Sequence, residues 1–158
     1  TDSNPVGVEV GDLDNDGDLD VFITDLTAGR SALYRNDTPA QGAAQFVNVT
    51  STAGLTAILP SASAVGAAFL DFDNDGDLDI YVSYQNRANV LLANPYNKAD
   101  TDFALGDAAF TNATGAEFVA APQLSEHVAT GDYNNDGRTD IFAAAAQSST
   151  EQSILYKN

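Results

Sequence analysis

The sequence contains no cysteine, methionine or tryptophan, and a single histidine among its 158 residues. Without cysteine the protein can form neither disulfide bonds nor a thiolate metal site. The one histidine, His127, has no serine, cysteine or acid at a spacing recognisable as a catalytic pair, which favours a structural role. We therefore predict no catalytic residue and expect that the protein is not an enzyme.

Basic residues are also scarce, since six lysines and arginines stand against 23 aspartates and glutamates, for a net charge of −17. Phosphate binding needs a basic face, so nucleic acid is excluded as a partner. No apolar run approaches membrane-spanning length and no signal peptide is recognisable. The sequence begins at Thr1 and lacks methionine, which suggests a processed or excised portion of a longer protein.

Aspartate is abundant and is concentrated in three nine-residue segments that begin at Asp12, Asp71 and Asp132. Each reads Asp-x-Asp/Asn-x-Asp-Gly-x-x-Asp. Side chains at positions one, three, five and nine can converge on one point, the carbonyl at position seven adds an oxygen, and glycine at position six permits a sharp turn. This oxygen-rich set suits calcium better than magnesium. The predicted metal ligands are Asp12, Asp14, Asp16, Asp18, Asp20, Asp71, Asp73, Asp75, Asp77, Asp79, Asp132, Asn134, Asp136, Arg138 and Asp140.

Two other interpretations of these segments fit less well. An EF-hand needs a bidentate glutamate at position twelve and flanking helices, but position twelve is Ile23, Val82 or Ala143 and the flanks are strand-like. An acidic, solvated turn without metal would be reasonable for one copy and is improbable for three.

The segments recur at steps of 59 and 61 residues, which indicates a propeller, a solenoid or an array. Each unit reads as up to four short strands, the size of one antiparallel propeller blade. We predict an all-β fold of three such blades at about residues 1–55, 56–118 and 119–158, the last lacking its fourth strand. Residues 143–146, all alanine, favour a helix by propensity, but their place in the repeat predicts a strand.

The pattern resembles the FG-GAP/VCBS repeat family, which includes the calcium-binding blades of integrin α-subunit propellers. The matching motifs are the aspartate segments, the sequences of residues 33–36 and 155–158, and the strand of residues 46–50 with the residues that follow it. The resemblance implies β-propeller blades with calcium between the first and second strands, in a mostly extracellular family. Asn134, Arg138 and Thr139 depart from the family pattern, so the third of the three calcium sites is expected to be weaker.

We expect an extracellular or cell-surface protein that binds structural calcium and acts in adhesion or self-assembly; a carbohydrate-binding, lectin-like or carbohydrate-active propeller is the alternative. Three units are fewer than the roughly four to eight blades of a closed propeller. The expected partners are therefore other protein chains, as a homo-oligomer, a filament or the remainder of a larger propeller. Asn36, Asn48 and Asn112 begin Asn-x-Thr sequons and are candidate glycosylation sites.

Overall fold

The computed structural model describes residues 2–96, 104–115, 125–145 and 153–158. Within them the chain is all-β apart from one short helix, α1 (Leu55–Ile58), and no helix there is long and apolar enough to cross a membrane. The strands are β1 (Pro5–Gly11), β2 (Asp20–Asp25), β3 (Ala32–Asn36), β4 (Phe46–Asn48), β5 (Ala64–Leu70), β6 (Asp79–Tyr84), β7 (Val90–Ala93), β8 (Thr111–Asn112), β9 (Ser125–Gly131), β10 (Asp140–Ala145) and β11 (Ile154–Tyr156).

These strands form three antiparallel sheets in which neighbours along the chain are neighbours in the sheet. The orders are β1-β2-β3-β4, β5-β6-β7-β8 and β9-β10-β11, and we name the sheets repeats 1, 2 and 3. The prediction of antiparallel, blade-like repeats is confirmed, and the three sheets do not form a closed propeller. The domain boundaries drawn from the sequence stay a prediction.

The fourth strands, β4 and β8, are shorter than the sequence predicts. The carboxamide oxygens of Asn48 and Asn112 accept hydrogen bonds from the N–H groups of Thr50 and Thr114 at 3.1 Å and 2.9 Å. Such local side-chain bonds turn the backbone and compete with the strand ladder. Each fourth strand therefore ends at its asparagine.

The alanine run is a strand as far as Ala145, and its continuation at residue 146 lies outside the described residues. Ala143 is paired with Val128 of β9 on one side and Ile154 of β11 on the other. Pairing on both edges outweighs the helix propensity of alanine. The sequence repeat predicted this element correctly.

Each sheet has two apolar faces because side chains alternate along a strand. The forward face comprises Phe22 and Leu33 in repeat 1, Tyr81 and Leu91 in repeat 2, and Phe142 and Leu155 in repeat 3. The back face comprises Val8, Val10, Leu19, Val21 and Ile23 in repeat 1, Ala67, Phe69, Leu78, Ile80 and Val82 in repeat 2, and Val128, Ile141, Ala143 and Tyr156 in repeat 3.

The hydrophobic core lies between the repeats. One buried cluster joins the forward face of repeat 1 to the back face of repeat 2, and a second joins the forward face of repeat 2 to the back face of repeat 3. Fully burying one aliphatic or aromatic side chain contributes about 1.5–3 kcal/mol. Stacking of successive repeats is therefore what stabilises each sheet, and it fixes the aspartate segments along one side of the array.

Candidate metal centres

The three aspartate segments join the first and second strands of their sheets, and we call them loops 1, 2 and 3 (residues 12–20, 71–79 and 132–140). All three turn in the same way. The glycine at position six has a φ of 97°, 96° or 87° in the three loops, as its sequence position predicted. Position four is also left-handed, with φ of 56°, 60° and 58° at Asn15, Asn74 and Asn135. Sequence analysis missed this second requirement, although asparagine tolerates that conformation and stands there in every copy.

The aspartate at position nine closes each loop onto its sheet. Asp20, Asp79 and Asp140 are each about 1 % exposed. One carboxylate oxygen accepts the N–H of loop position two at 3.0, 2.9 and 3.2 Å in loops 1 to 3. The other oxygen accepts the N–H of the asparagine near the end of the third strand at 2.9, 2.8 and 2.8 Å. This residue therefore holds the loop in place whatever it also contributes to a metal ion.

Positions one and five order the turn itself. In loop 1, Asp12 accepts hydrogen bonds from the N–H groups of Asp16 and Gly17, both at 3.0 Å, and Asp132 accepts the equivalent bonds in loop 3. The aspartate at position five, which is Asp16, Asp75 or Asp136, accepts the N–H of position seven at 2.9, 3.2 or 3.1 Å. These bonds curl the backbone around the carboxylates.

The structure brings carboxylates together in loops 1 and 2. Oxygens of Asp12, Asp14 and Asp16 lie within 4.8 Å of one another, and in loop 2 the same holds for Asp71, Asp73 and Asp79. Positions one and three thus converge in both loops. They are joined by position five in loop 1 and by position nine in loop 2.

Several buried oxygens of these two loops have no hydrogen-bond donor among the described residues. They are Oδ1 of Asp14, of Asp71 and of Asp77. A buried carboxylate oxygen without a partner is costly, and a bound cation removes that cost. The residues present therefore fit a hard divalent ion with oxygen ligands. At position seven the side chain of Asp77 is buried while Asp18 and Arg138 are exposed, so the three loops differ there.

The electrostatics of loops 1 and 2 also favour a bound cation. The pKa of Asp20 and of Asp79 is raised to about 6, mainly by burial; backbone hydrogen bonds oppose this rise and neighbouring aspartates add to it. Burial, together with nearby carboxylates, also raises the pKa of Asp14, Asp73 and Asp77. Negative charge is therefore unfavourable in the folded loops until a cation offsets it.

Loop 3 contains positive charge of its own. The Oδ2 atom of Asp136 lies 3.8 Å from Nη2 of Arg138 and 3.5 Å from Nζ of Lys157. At position three Asn134 replaces a carboxylate, and its carboxamide oxygen accepts the N–H of Asp136 at 2.8 Å. These protein cations and the missing carboxylate reduce the attraction of loop 3 for a metal ion.

One contact between distant parts of the chain was not foreseen from the sequence. The carboxylate of Asp14 accepts the N–H of Leu105 at 2.8 Å, and the carbonyl of Leu105 accepts Nη1 of Arg35 at 3.1 Å. Arg35 forms in turn a bidentate ion pair with Asp37. A segment of repeat 2 therefore covers one predicted ligand of loop 1. The two residues are 91 positions apart, and no sequence motif signals their contact.

The candidate glycosylation sites differ in accessibility. Asn48 and Asn112 lie exposed on the edge strands β4 and β8. Asn36 is half-buried, and its Nδ2 donates a hydrogen bond to the carbonyl of Leu19 at 3.1 Å. Asn48 and Asn112 are thus better placed to carry a glycan than Asn36.

Comparison with known families agrees with this geometry. The pattern of the FG-GAP-like repeat matches residues 12–82, from loop 1 into the second strand of repeat 2, and that of the FG-GAP repeat matches residues 126–156. The chain belongs to the FG-GAP repeat family. FG-GAP repeats occur in integrin-like propeller proteins, are typically non-enzymatic structural or adhesion domains, commonly bind calcium and are often extracellular or surface-exposed. None of the curated proteins matches the chain.

Proposed function

We propose that this FG-GAP chain is an extracellular calcium-binding repeat protein that acts in adhesion or assembly, with calcium as a structural ion. The observation that carries the proposal is the set of buried carboxylate oxygens of Asp14, Asp71 and Asp77 that lack a hydrogen-bond donor among the described residues. Three such oxygens in two equivalent loops are difficult to explain in a protein that folds without a cation.

The carboxylates at positions one and three of loops 1 and 2 are the residues we assign to the ion in each case. They are Asp12 and Asp14 in loop 1, and Asp71 and Asp73 in loop 2. Position five contributes as ligand and as acceptor for the backbone, and position nine fixes the loop on the sheet. Calcium supplies the positive charge that allows these groups to remain ionised together, so binding contributes directly to folding.

We assign a weaker site to loop 3, because Asn134 lacks a charge and Arg138 and Lys157 already lie near Asp136. None of the loops has the bidentate glutamate of an EF-hand, which favours an affinity on the order of 10⁻⁴ to 10⁻³ M, as in extracellular modules. Such an affinity suits the calcium-rich exterior of cells rather than a cytosolic sensor.

The role in adhesion or assembly is supported by the stacked-repeat architecture, whose fourth strands β4 and β8 are sheet edges, and by the structural or adhesion role typical of FG-GAP repeats. The carbohydrate-binding alternative has less support within the described residues, since two of the three recurring aromatic residues, Phe22 and Tyr81, are fully buried between repeats and only Phe142 is exposed. A sugar-binding surface would need such rings to be accessible.

Calorimetric titration of calcium into metal-stripped protein tests the proposal. We expect two comparable sites and a weaker third. Asp14→Ala and Asp73→Ala should each abolish one of the stronger sites, whereas Asn134→Ala should change only the weak one. Asp2→Ala, at an exposed aspartate outside the loops, is the matched control. Absence of binding heat, together with a melting temperature that does not respond to calcium, would refute the proposal.

A further inference from the structure

Residues 104–110, which we call the strap, belong by sequence to repeat 2 but contact repeat 1. They lie between β7 and β8. The N–H of Phe110 donates a hydrogen bond to the carbonyl of Ala53 at 3.0 Å. A Cβ at Gly54 would lie 2.7 Å from the Cβ of Ala109. The strap therefore packs closely against the part of repeat 1 that leads into α1.

The strap has a defined backbone conformation. The N–H of Asp107 donates to the carbonyl of Ala104 at 2.9 Å, and a carboxylate oxygen of Asp107 accepts the N–H of Ala104 at 3.1 Å. Gly106 has a φ of 103°, and a Cβ there would lie 2.9 Å from Oγ1 of Thr52 and 3.3 Å from Cβ of Val49. Glycine alone suits such a position. The turn and the contact with repeat 1 thus fix the course of the strap.

Leu105 is attached to repeat 1 by its side chain and by both of its backbone polar groups. The side chain is fully buried in the hydrophobic cluster that joins repeats 1 and 2. The N–H donates to Oδ2 of Asp14 at 2.8 Å, and the carbonyl accepts Nη1 of Arg35 at 3.1 Å. Arg35 is oriented by the two oxygens of Asp37, at 2.6 Å and 3.0 Å. Packing and an ion pair therefore set the position of the Leu105 N–H relative to loop 1.

The hydrogen bond from the strap leaves one oxygen of Asp14 for a cation. Asp14 is 3 % exposed, and its Oδ1 is buried without a hydrogen-bond donor among the described residues. An oxygen of Asp14 lies within 4.8 Å of oxygens of Asp12 and Asp16. A bond to Oδ2 fixes the rotation of the carboxylate. Groups that orient a metal ligand in this way commonly change metal affinity by about 10–100-fold.

We propose that the strap positions Asp14 for the cation of loop 1, so that calcium binding there and the docking of the strap on repeat 1 strengthen each other. Leu105 is the positioning residue through its N–H, and Arg35 supports it through the Leu105 carbonyl. This inference rests on the proposed calcium binding and adds that one site depends on a contact between two repeats. Coupling of this kind is reciprocal, so the factor by which the docked strap raises the calcium affinity is also the factor by which calcium favours docking.

Calorimetric titration of calcium in an Asp73→Ala background tests the effect of the strap on affinity, because loop 1 is then the stronger of the two remaining sites. Leu105→Ala should weaken loop 1 by about tenfold. Leu55→Ala is the matched control, since Leu55 is equally buried in the same cluster and has no hydrogen bond to loop 1 within the described residues. It should reduce stability and change the affinity by less than about twofold.

Arg35→Lys tests the same contact without removing a buried side chain. Lysine keeps the charge, but a single ammonium group cannot reproduce the fixed fork that joins Asp37 and the Leu105 carbonyl. The affinity of loop 1 should fall by about fivefold, the equivalent of one hydrogen bond. Arg87→Lys, at an exposed arginine of repeat 2, is the matched control and should leave the affinity unchanged.

Amide hydrogen exchange measured by NMR tests the reciprocal effect with the strap unaltered. Saturating calcium should slow the exchange of the Leu105 N–H by about tenfold, the factor expected for the affinity. The same slowing should occur in Asp73→Ala, where loop 1 is intact. It should be absent in Asp14→Ala, which lacks the carboxylate that joins the ion to the strap.

An affinity of loop 1 that is unchanged in both Leu105→Ala and Arg35→Lys would overturn the proposal, because the strap would then contribute to stability alone. If Leu105→Ala does not fold, Arg35→Lys and the exchange measurement decide the question. A Leu105 N–H whose exchange does not respond to calcium would also overturn it. Calcium binding that is independent of the strap removes only this coupling, whereas absence of binding heat in every variant and in the wild type removes the calcium sites as well.

Discussion

Once stripped of metal, this protein should lose stability as the pH rises from about 4.0 to 7.5. The pKa of Asp20 and of Asp79 is raised to about 6 by burial in the folded chain. An acid whose pKa is raised on folding favours the folded state while protonated. Its contribution is present in full below its ordinary pKa of about 4 and is lost as the pH rises through 6.

The size of the effect follows from the same two groups. A rise from the ordinary value of 3.8 to about 6 corresponds to about 3 kcal/mol per carboxylate, at about 1.4 kcal/mol for each pH unit. Screening by solvent and salt near the loops reduces this to about 1–2 kcal/mol each. Together the two carboxylates should remove about 2–4 kcal/mol from a free energy of unfolding of about 5–15 kcal/mol. The melting temperature should fall by roughly 5–15 °C.

Thermal unfolding of protein stripped on a chelating resin measures this directly, since soluble chelators lose affinity in acid. Saturating calcium should abolish the decline, because the ion stabilises the ionised carboxylates. Sodium chloride at matched ionic strength is the control for screening, and Asp79→Asn should retain only part of the pH dependence. A stripped protein that is as stable at pH 7.5 as at pH 4.0 would refute the electrostatic account of the loops.

Three further outcomes are expected. Gly11→Ala should destabilise dilute protein by about 1–3 kcal/mol in denaturant titrations, because its Cβ would collide with side chains of repeat 2. Gly131→Ala is the control and should change stability by less than about 0.5 kcal/mol. Equal effects of the two substitutions would contradict the packing of repeat 2 on Gly11. Asn74→Val should cost about 1–2 kcal/mol through its left-handed backbone while Asn74→Gly costs less, and equal losses would show that position four is unstrained. Material secreted from eukaryotic cells should carry glycan at Asn48 or Asn112, and tryptic peptides of unmodified mass at both would remove that idea.

Much of the fold was predictable because the repeat supplies several observations of each element. Residues 143–145 are a clear case, since propensity alone favours a helix and comparison with the other repeats gives the strand. The loops could be predicted equally well, because the residue types that bind a hard cation occur at fixed spacing. Position four was predictable in principle from its three asparagines, and only the need for a second left-handed residue was overlooked.

Other features depend on contacts that no local pattern encodes. The bond from Leu105 to Asp14 joins a repeat-specific segment to a neighbouring loop, and nothing in either stretch signals the other. The role of position nine as an acceptor for two backbone N–H groups was hidden for a related reason. The sequence does not distinguish an aspartate that closes a loop from one that binds a cation.

The asparagines that follow the third strands connect the repeats mechanically on the side of the loops. A continuous series of hydrogen bonds runs along the side of the array that carries the loops, through Asp20, Leu13, Asn94, Asp79, Phe72, Asn158 and Asp140. A force that pulls the repeats apart along the array should therefore load these bonds together. Beside the fourth strands it would also load the bond from the N–H of Phe110 to the carbonyl of Ala53, which joins repeats 1 and 2 at 3.0 Å.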